Sequence, residues 1–236
     1  MSADRTREPQ YQIQVDTFEA EGPVRLGLAT SHVWRTDPRR LVFMLARYKF
    51  VSKMLAGYQD VLEVGCGDGF GAEIVLQEVE RVHGVDFDPV FIEHCKKERA
   101  SERLTFAVAD LTEGPVLPPR DAAYSLDVIE HIDEADEDRF MVNLLASLKD
   151  PALAIIGAPS LEGQLHASEW SKAGHCNCKS GEDFRRFLER YFERVFLFSM
   201  NDEVVHTGFL PMAHYLLAVC AGARRAAGDA LSVRGL

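Results

Sequence analysis

The sequence predicts a doubly wound α/β domain behind an N-terminal helical cap. Two observations carry this. Between about residues 60 and 160, short apolar runs alternate with amphipathic segments, and the first run ends in a glycine-rich turn. Strands that alternate with helices pair in parallel through right-handed crossovers, and ligands of such sheets lie beyond the carboxyl ends of the strands. The chain has 236 residues, 47% apolar and 27% charged, enough to bury one sizeable core. No repeat or linker divides it. The expected organisation is a cap over 1–58, a core over 59–221 and a tail over 222–236, one domain overall.

In chain order, Asp37-Pro38 is a helix start, with Asp at the N-cap and Pro in the first turn. Leu41, Met44, Leu45, Tyr48, Val51 and Leu55 then form a helical stripe, and Gly57 supplies a stop. Arg39, Arg40, Arg47 and Lys53 largely avoid that stripe. Strands are expected at 61–64, 82–85, 104–108, 122–126 and 153–157, with helices near 70–80, 89–100 and 136–149. A polar loop over 160–179 precedes Ser180-Gly181-Glu182-Asp183, which resembles a capping box opening an apolar helix face of Phe184, Phe187, Leu188 and Tyr191. Two last runs, 194–199 and 213–220, flank a polar loop over 200–208 and read as a hairpin at the sheet edge.

Charge and cysteine usage exclude several classes. A net charge of -11 opposes general binding of nucleic acid, which draws on clustered Lys and Arg. The first ten residues lack the apolar region of a secretory signal, and the longest apolar stretch near the end, 213–221, falls far short of the ~20 residues of a membrane span. Five cysteines without framework spacing suit reduced thiols in a cytoplasm. Cys176-Asn177-Cys178 has no second pair to complete a zinc site.

The strongest chemical signal is Val61-Leu62-Glu63-Val64-Gly65-Cys66-Gly67-Asp68-Gly69-Phe70. The glycines let backbone approach a ligand closely. A dinucleotide fingerprint would need a small residue where Phe70 stands, and Glu63 and Asp68 beside the loop suit a cation better than a phosphate. Acids recur at the ends of the next strands. Asp86 can accept from both hydroxyls of a ribose, Asp110 is placed to accept from an exocyclic amine, and Asp127 closes the fourth strand.

These segments, 61–70, 84–89, Ala109-Asp110-Leu111 and 121–132, resemble the successive motifs of a class I S-adenosylmethionine-dependent methyltransferase, over roughly 60–220. The resemblance implies a Rossmann-like, mostly parallel sheet of seven strands whose last strand is antiparallel. It implies S-adenosylmethionine as cofactor, with Glu63, Gly65 and Gly67 near the methionine part, Asp86 at the ribose, Asp110 and Leu111 at adenine, and Cys66 and Phe87 among the cofactor-binding residues. Asp127 and Val128 would lie beside the sulfonium. No Asn/Asp-Pro-Pro-Tyr/Phe run follows the fourth strand, so the expected acceptor is a small molecule or saccharide rather than nucleic acid.

Transfer needs an acceptor atom held in line, and a hydroxyl acceptor also needs a base, most often His. His131 at the mouth of the site and His175 in the 160–179 loop are the candidates for catalysis. His206 lies near Asp202 and Glu203, a weaker metal reading, and no metal is expected. Trp34, in Thr30–Arg35, is a packing residue or a cofactor lid, and the acidic run 133–138 a solvated helix start. A nucleotide-dependent oxidoreductase and a non-catalytic cofactor-binding subunit stay open as alternatives, as does a homodimer.

Overall fold

The computed structural model describes residues 5–224. The cap holds helices α1 (Gln12–Glu21), α2 (Leu28–Thr36) and α3 (Pro38–Met54). Asp37 starts α3 as expected, its side chain accepting from the Arg39 amide. There follow β1 (Asp60–Val64), α4 (Ala72–Val75), β2 (Arg81–Asp86), α5 (Pro89–Glu98), β3 (Leu104–Val108) and β4 (Ala122–Leu126). The second half holds α6 (Glu137–Ala146), β5 (Leu153–Pro159), α7 (Glu169–Gly174), α8 (Gly181–Glu189), β6 (Phe192–Asn201), β7 (Val204–His206) and β8 (Tyr215–Ala223). Helix α4 is shorter than the 70–80 expected, because its amides tighten from Gln77 onward into bonds three residues back. Strand β8 runs two residues into the expected tail, and the rest of that tail, from 225, lies outside the described residues.

The sheet order is β3-β2-β1-β4-β5-β8-β6-β7. Ladders among β1 to β5 are parallel, and the three that involve β7 or β8 are antiparallel. The sheet therefore has eight strands, not seven, and its antiparallel share is larger than expected. The extra strand comes from the 200–208 loop. Asp202, with φ of 51°, turns the chain so that Val204 pairs with Asn201 and the segment folds back on β6. Strand β8 is inserted between β5 and β6, so the edge belongs to β7 rather than to the β6–β8 pair.

Sheet residues alternate between two apolar layers. Val61 and Val82 share one layer with Val51, Ala72 and Ile92 of α3, α4 and α5 and with Leu55 at the end of α3, while Leu62 and Val85 share the opposite layer with Phe140, Leu144, Phe184 and Leu188 of α6 and α8. Strand order reverses between β1 and β4, which opens a crevice at their carboxyl ends.

One buried acid fastens the cap to that crevice. Helix α2 begins at Gly27, which has no side chain to cap it. Asp68, in the turn after β1, does so from 38 residues away: its Oδ2 accepts from the Thr30 amide at 2.8 Å and the Thr30 hydroxyl at 2.9 Å. The same hydroxyl accepts from the Gly27 amide at 2.7 Å. A Cβ on Gly27 would lie 2.2 Å from the Asp68 carboxyl carbon, so this contact demands glycine. An anion at a helix N-terminus is further favoured by the macrodipole. Asp68→Ala should lower unfolding free energy by about 1.5–3 kcal/mol in denaturant titration, as for hydrogen bonds to a charged group. Combined with Thr30→Val the losses should be less than additive; strict additivity would mean the two side chains do not interact.

Candidate active site

The turn after β1 is tied to β2 by backbone. The Gly65 and Cys66 amides both donate to the Val85 carbonyl, at 2.8 and 3.0 Å. The Gly67 amide donates to Asp86 Oδ2 at 2.9 Å, and Asp86 Oδ1 accepts from the Asp88 amide at 3.0 Å. Gly67 has φ of 52°, and a Cβ there would meet no atom within 4 Å, so the turn leaves open space in front of it. Gly65 is covered instead: Val128 Cγ2 would lie 2.1 Å from a Cβ on it. Phe87, beside Asp86, is 71% exposed. Asp110 Oδ1 accepts from the Thr112 amide and hydroxyl at 2.8 and 2.7 Å, leaving Oδ2 without a hydrogen bond.

Three expected residues stand differently from their reading. Leu111 has its side chain in the core, and its carbonyl accepts from Asn143. Cys66 turns its thiol inward, towards the Gly67 carbonyl that Cys95 also faces. Glu63 is buried beneath the turn. Burial is the main cause that pushes its carboxyl up to about 8, the phenols of Tyr124 and Tyr48 offset part of that push, and Oε2 has no hydrogen bond of normal geometry. With Asp68 spent on α2, neither acid read as suiting a cation turns a free charge to the crevice; Asp86 and Asp110 supply it.

The end of β4 is the second half of the site. Asp127 takes φ of 57°, rare for a residue other than glycine, and its amide donates to the Gly157 carbonyl at 3.0 Å. Its carboxylate receives both bonds, 2.6 and 2.8 Å, from Arg47 Nη1. The Arg47 guanidinium lies 3.7 Å over the Tyr215 ring. The α3 stripe had placed Arg47 away from the core; its guanidinium reaches the site instead.

Glu130 follows, fully buried, with no hydrogen bond to either carboxylate oxygen. Burial, then the Asp127 charge, push it up to about 9. His131 donates from Nδ1 to the Gly174 carbonyl at 2.8 Å, since a carbonyl can only accept. His175 Nδ1 pairs with Gln164 Oε1 at 2.9 Å. The two rings meet edge to face at 5.0 Å. Burial and the neighbouring His131 lower the His175 pKa, so the ring is neutral at neutral pH. The loop that brings His175 there is fastened to the segment after β4 and to α6: the Asn177 amide donates to the Glu130 carbonyl at 3.0 Å, and Asn177 and Lys179 both reach the buried Glu137, at 2.7 and 2.8 Å.

His206 is remote from this group. Its ring nitrogens are held by Asn201 and the Gly208 amide within the hairpin, and it forms no ligand cluster with Asp202 and Glu203 among the described residues. Trp34 is half exposed on α2.

The comparisons agree with this architecture. Residues 61–151 match a family model described as a methyltransferase domain. A protein of Mycolicibacterium smegmatis described as a probable S-adenosylmethionine-dependent methyltransferase is 30% identical over 115 residues, 48% of this chain and 42% of that protein. An uncharacterized methyltransferase of Mycobacterium bovis is 30% identical over 133 residues, 53% of this chain and 66% of that protein. The chain thus spans less than half the length of the first of these relatives. Among solved structures, the methyltransferase domain of a bacterial CtHen1 superposes with a TM-score of 0.61 at 19% identity, over 76% of this chain and 99% of that one. The N-methyltransferase NodS of Bradyrhizobium japonicum, with S-adenosyl-L-homocysteine bound, gives 0.57 at 18% identity, over 80% and 91%. The fold is that of the class I methyltransferases. More particularly, residues 61–151 carry a methyltransferase domain, and the segment is similar in sequence to proteins described as S-adenosylmethionine-dependent methyltransferases.

Glu63 carries a pH signature. The folded chain keeps a proton on it that the unfolded chain releases from about 4.5 upward, so this group lowers stability as pH rises towards 8. Glu63→Gln removes the effect. Unfolding midpoints should shift in favour of the variant from pH 5 to pH 8; parallel profiles would show Glu63 ionised in the folded chain.

Proposed function

We propose that this chain transfers the methyl group of S-adenosylmethionine to an oxygen or nitrogen atom of a small-molecule or saccharide-like acceptor held at the carboxyl ends of β4 and β5. The observation that supports this most is the placement of the His131–His175 pair, 5.0 Å apart, just beyond Val128, the residue that covers Gly65 of the cofactor turn. Catalytic side chains and cofactor turn share one crevice.

The residues fit the cofactor. The space before Gly67 admits the methionine part at backbone distance, as no larger residue would allow. Asp86 lies where a ribose would be held, with lone pairs beyond the two it uses, and Asp110 Oδ2 is free for an exocyclic amine. A bound S-adenosylmethionine supplies a methyl group on a sulfonium. Everything else falls to the chain: Asp86 and Asp110 orient, Val128 bounds the turn, and the histidines hold the acceptor atom in line.

The net charge of -11 supports a small acceptor over a nucleic acid. Phe70 speaks against an oxidoreductase reading: it lies under the Arg99 guanidinium at 4.9 Å, and the helix that would receive a pyrophosphate is four residues long. Leu161, Leu165, Phe209 and Met212 are exposed around the loop after β5 and the segment before β8, which the Ser160 amide joins at the His214 carbonyl, 3.1 Å. These apolar groups suit the rim of an acceptor pocket. No helix among the described residues is long and apolar enough to cross a membrane, and five unpaired cysteines suit a reducing cytoplasm.

Calorimetric titration with S-adenosylmethionine and S-adenosylhomocysteine tests the cofactor site. Asp86→Ala should weaken both by about 1.5–3 kcal/mol, roughly 10- to 100-fold. Gly67→Val should abolish binding with circular dichroism unchanged. Unaltered affinity in both variants would put the cofactor elsewhere. Methyl transfer against a panel of alcohols, amines and saccharides, with RNA beside them, tests the acceptor. His131→Ala and His175→Ala should each lose roughly 10²–10⁴ in turnover while cofactor affinity stays nearly intact. Cofactor binding without transfer to any of these would favour a non-catalytic subunit.

A further inference from the structure

We propose that Glu130, His131 and His175 form a binding site for one divalent first-row transition-metal ion, with open positions facing the acceptor side of the crevice. The sequence had suggested no metal here. One ligand atom from each of the three residues lies within 4.8 Å of the other two. An ion inside a triangle of that size sits no more than about 2.8 Å from each atom. Bond lengths to imidazole nitrogen and carboxylate oxygen are about 2.0–2.2 Å, so side-chain shifts below an ångström complete the coordination.

The hydrogen bonds around the cluster prepare it for a cation. His131 spends its Nδ1 proton on the Gly174 carbonyl, which leaves Nε2 as a bare lone pair, 3.9 Å from Glu130 Oε1. His175 spends its Nδ1 proton on Gln164 Oε1, with the same result. A second-shell acceptor on the far ring nitrogen is the usual arrangement of metal-bound histidine, because it fixes the tautomer and the ring orientation. Glu130 completes the set. Its carboxyl is fully buried and both oxygens lack a hydrogen-bond partner, which is costly unless a charge compensates it. The nearest cation, Arg47, gives both its short bonds to Asp127. Two imidazole rings held through Nδ1 and an unpartnered carboxyl thus converge.

The donor set selects the ion. Two imidazoles and one carboxylate suit zinc, iron, cobalt or manganese better than magnesium or calcium, which prefer all-oxygen shells. Three protein ligands leave a position open, as in catalytic rather than structural sites. What the ion does there rests on the methyl-transfer reading above; its binding does not. A hydroxyl acceptor on the open position is acidified and loses its proton to water. Its oxygen then forms the new bond to the methyl carbon as the carbon–sulfur bond breaks and that electron pair returns to sulfur.

The test uses the full chain, stripped with chelator and titrated with Co²⁺ alone. One equivalent should bind with visible ligand-field bands and without a thiolate charge-transfer band in the near ultraviolet. His131→Ala, His175→Ala and Glu130→Gln should each weaken binding at least 10-fold, and Gln164→Ala, which only frees the His175 proton donor, about 10-fold. S-adenosylhomocysteine affinity, measured on the same samples, should stay within about twofold, which shows the variants folded and keeps the two sites separable. Absence of saturable Co²⁺ binding, or binding that survives the His131→Ala/His175→Ala double variant, overturns the site. So does a thiolate band lost in Cys176→Ser, which would move the metal to the Cys176-Asn177-Cys178 segment.

Discussion

The glycine turn after β1 owes its shape to an acid that points away from the crevice into the cap. Asp68 is buried and accepts from two donors of Thr30 and from the Phe70 amide, so the turn after β1 and the N-terminus of α2 form one hydrogen-bonded unit. Arg99 reinforces it from α5's end: its nearly buried guanidinium donates to the Asp68 carbonyl at 3.0 Å, to the Arg25 carbonyl at 2.8 Å and to Glu73 at 2.7 Å. A carboxylate left in such a place without these donors would cost more than the fold gains by burying it. The cap is therefore part of the crevice wall rather than an appendage.

A second tie works at the other lip. Arg47 of α3 joins Asp127 at the end of β4 and lies on the Tyr215 ring of β8, three elements far apart in sequence. Tyr215 in turn presents its hydroxyl to the Asp127 amide at 3.2 Å. The unusual backbone of Asp127 is held by these partners, and just beyond it the chain delivers Val128 to Gly65 and His131 to His175. Both lips of the crevice are thus fixed by helices of the cap. On the proposed function, lips tied in this way would help to hold the reacting atoms in line.

Much of this was legible in the sequence. The strand runs from β1 to β5 and the helices at Pro38 and Pro89 follow from apolar spacing and Asp-Pro starts, signals that are local. The acids at strand ends and the glycines between Val64 and Phe70 could likewise be read in place. What escaped was every role set by a partner distant in sequence. Asp68 resembled a ligand-facing acid until Thr30 accounted for it, and Arg47 resembled a solvated arginine until Asp127 did. Leu111 could not be told from a pocket residue before α6 covered it. Glu130 lies inside the 121–132 segment, yet only its burial without a partner marks it out. The β7 strand was hidden by its length, since two valines in a polar loop carry no periodicity.

Amide hydrogen exchange at Thr30 tests the union of cap and cofactor turn most directly. The Thr30 amide donates to Asp68, in the turn whose Gly67 borders the open space proposed for the cofactor. Saturating S-adenosylhomocysteine should therefore slow exchange at Thr30 and the following α2 amides as well as at the turn, and Asp68→Asn should abolish the α2 response while the turn is still protected. Protection confined to residues 65–70, with α2 exchanging at the same rate with and without ligand, would show that the cap does not sense the cofactor turn.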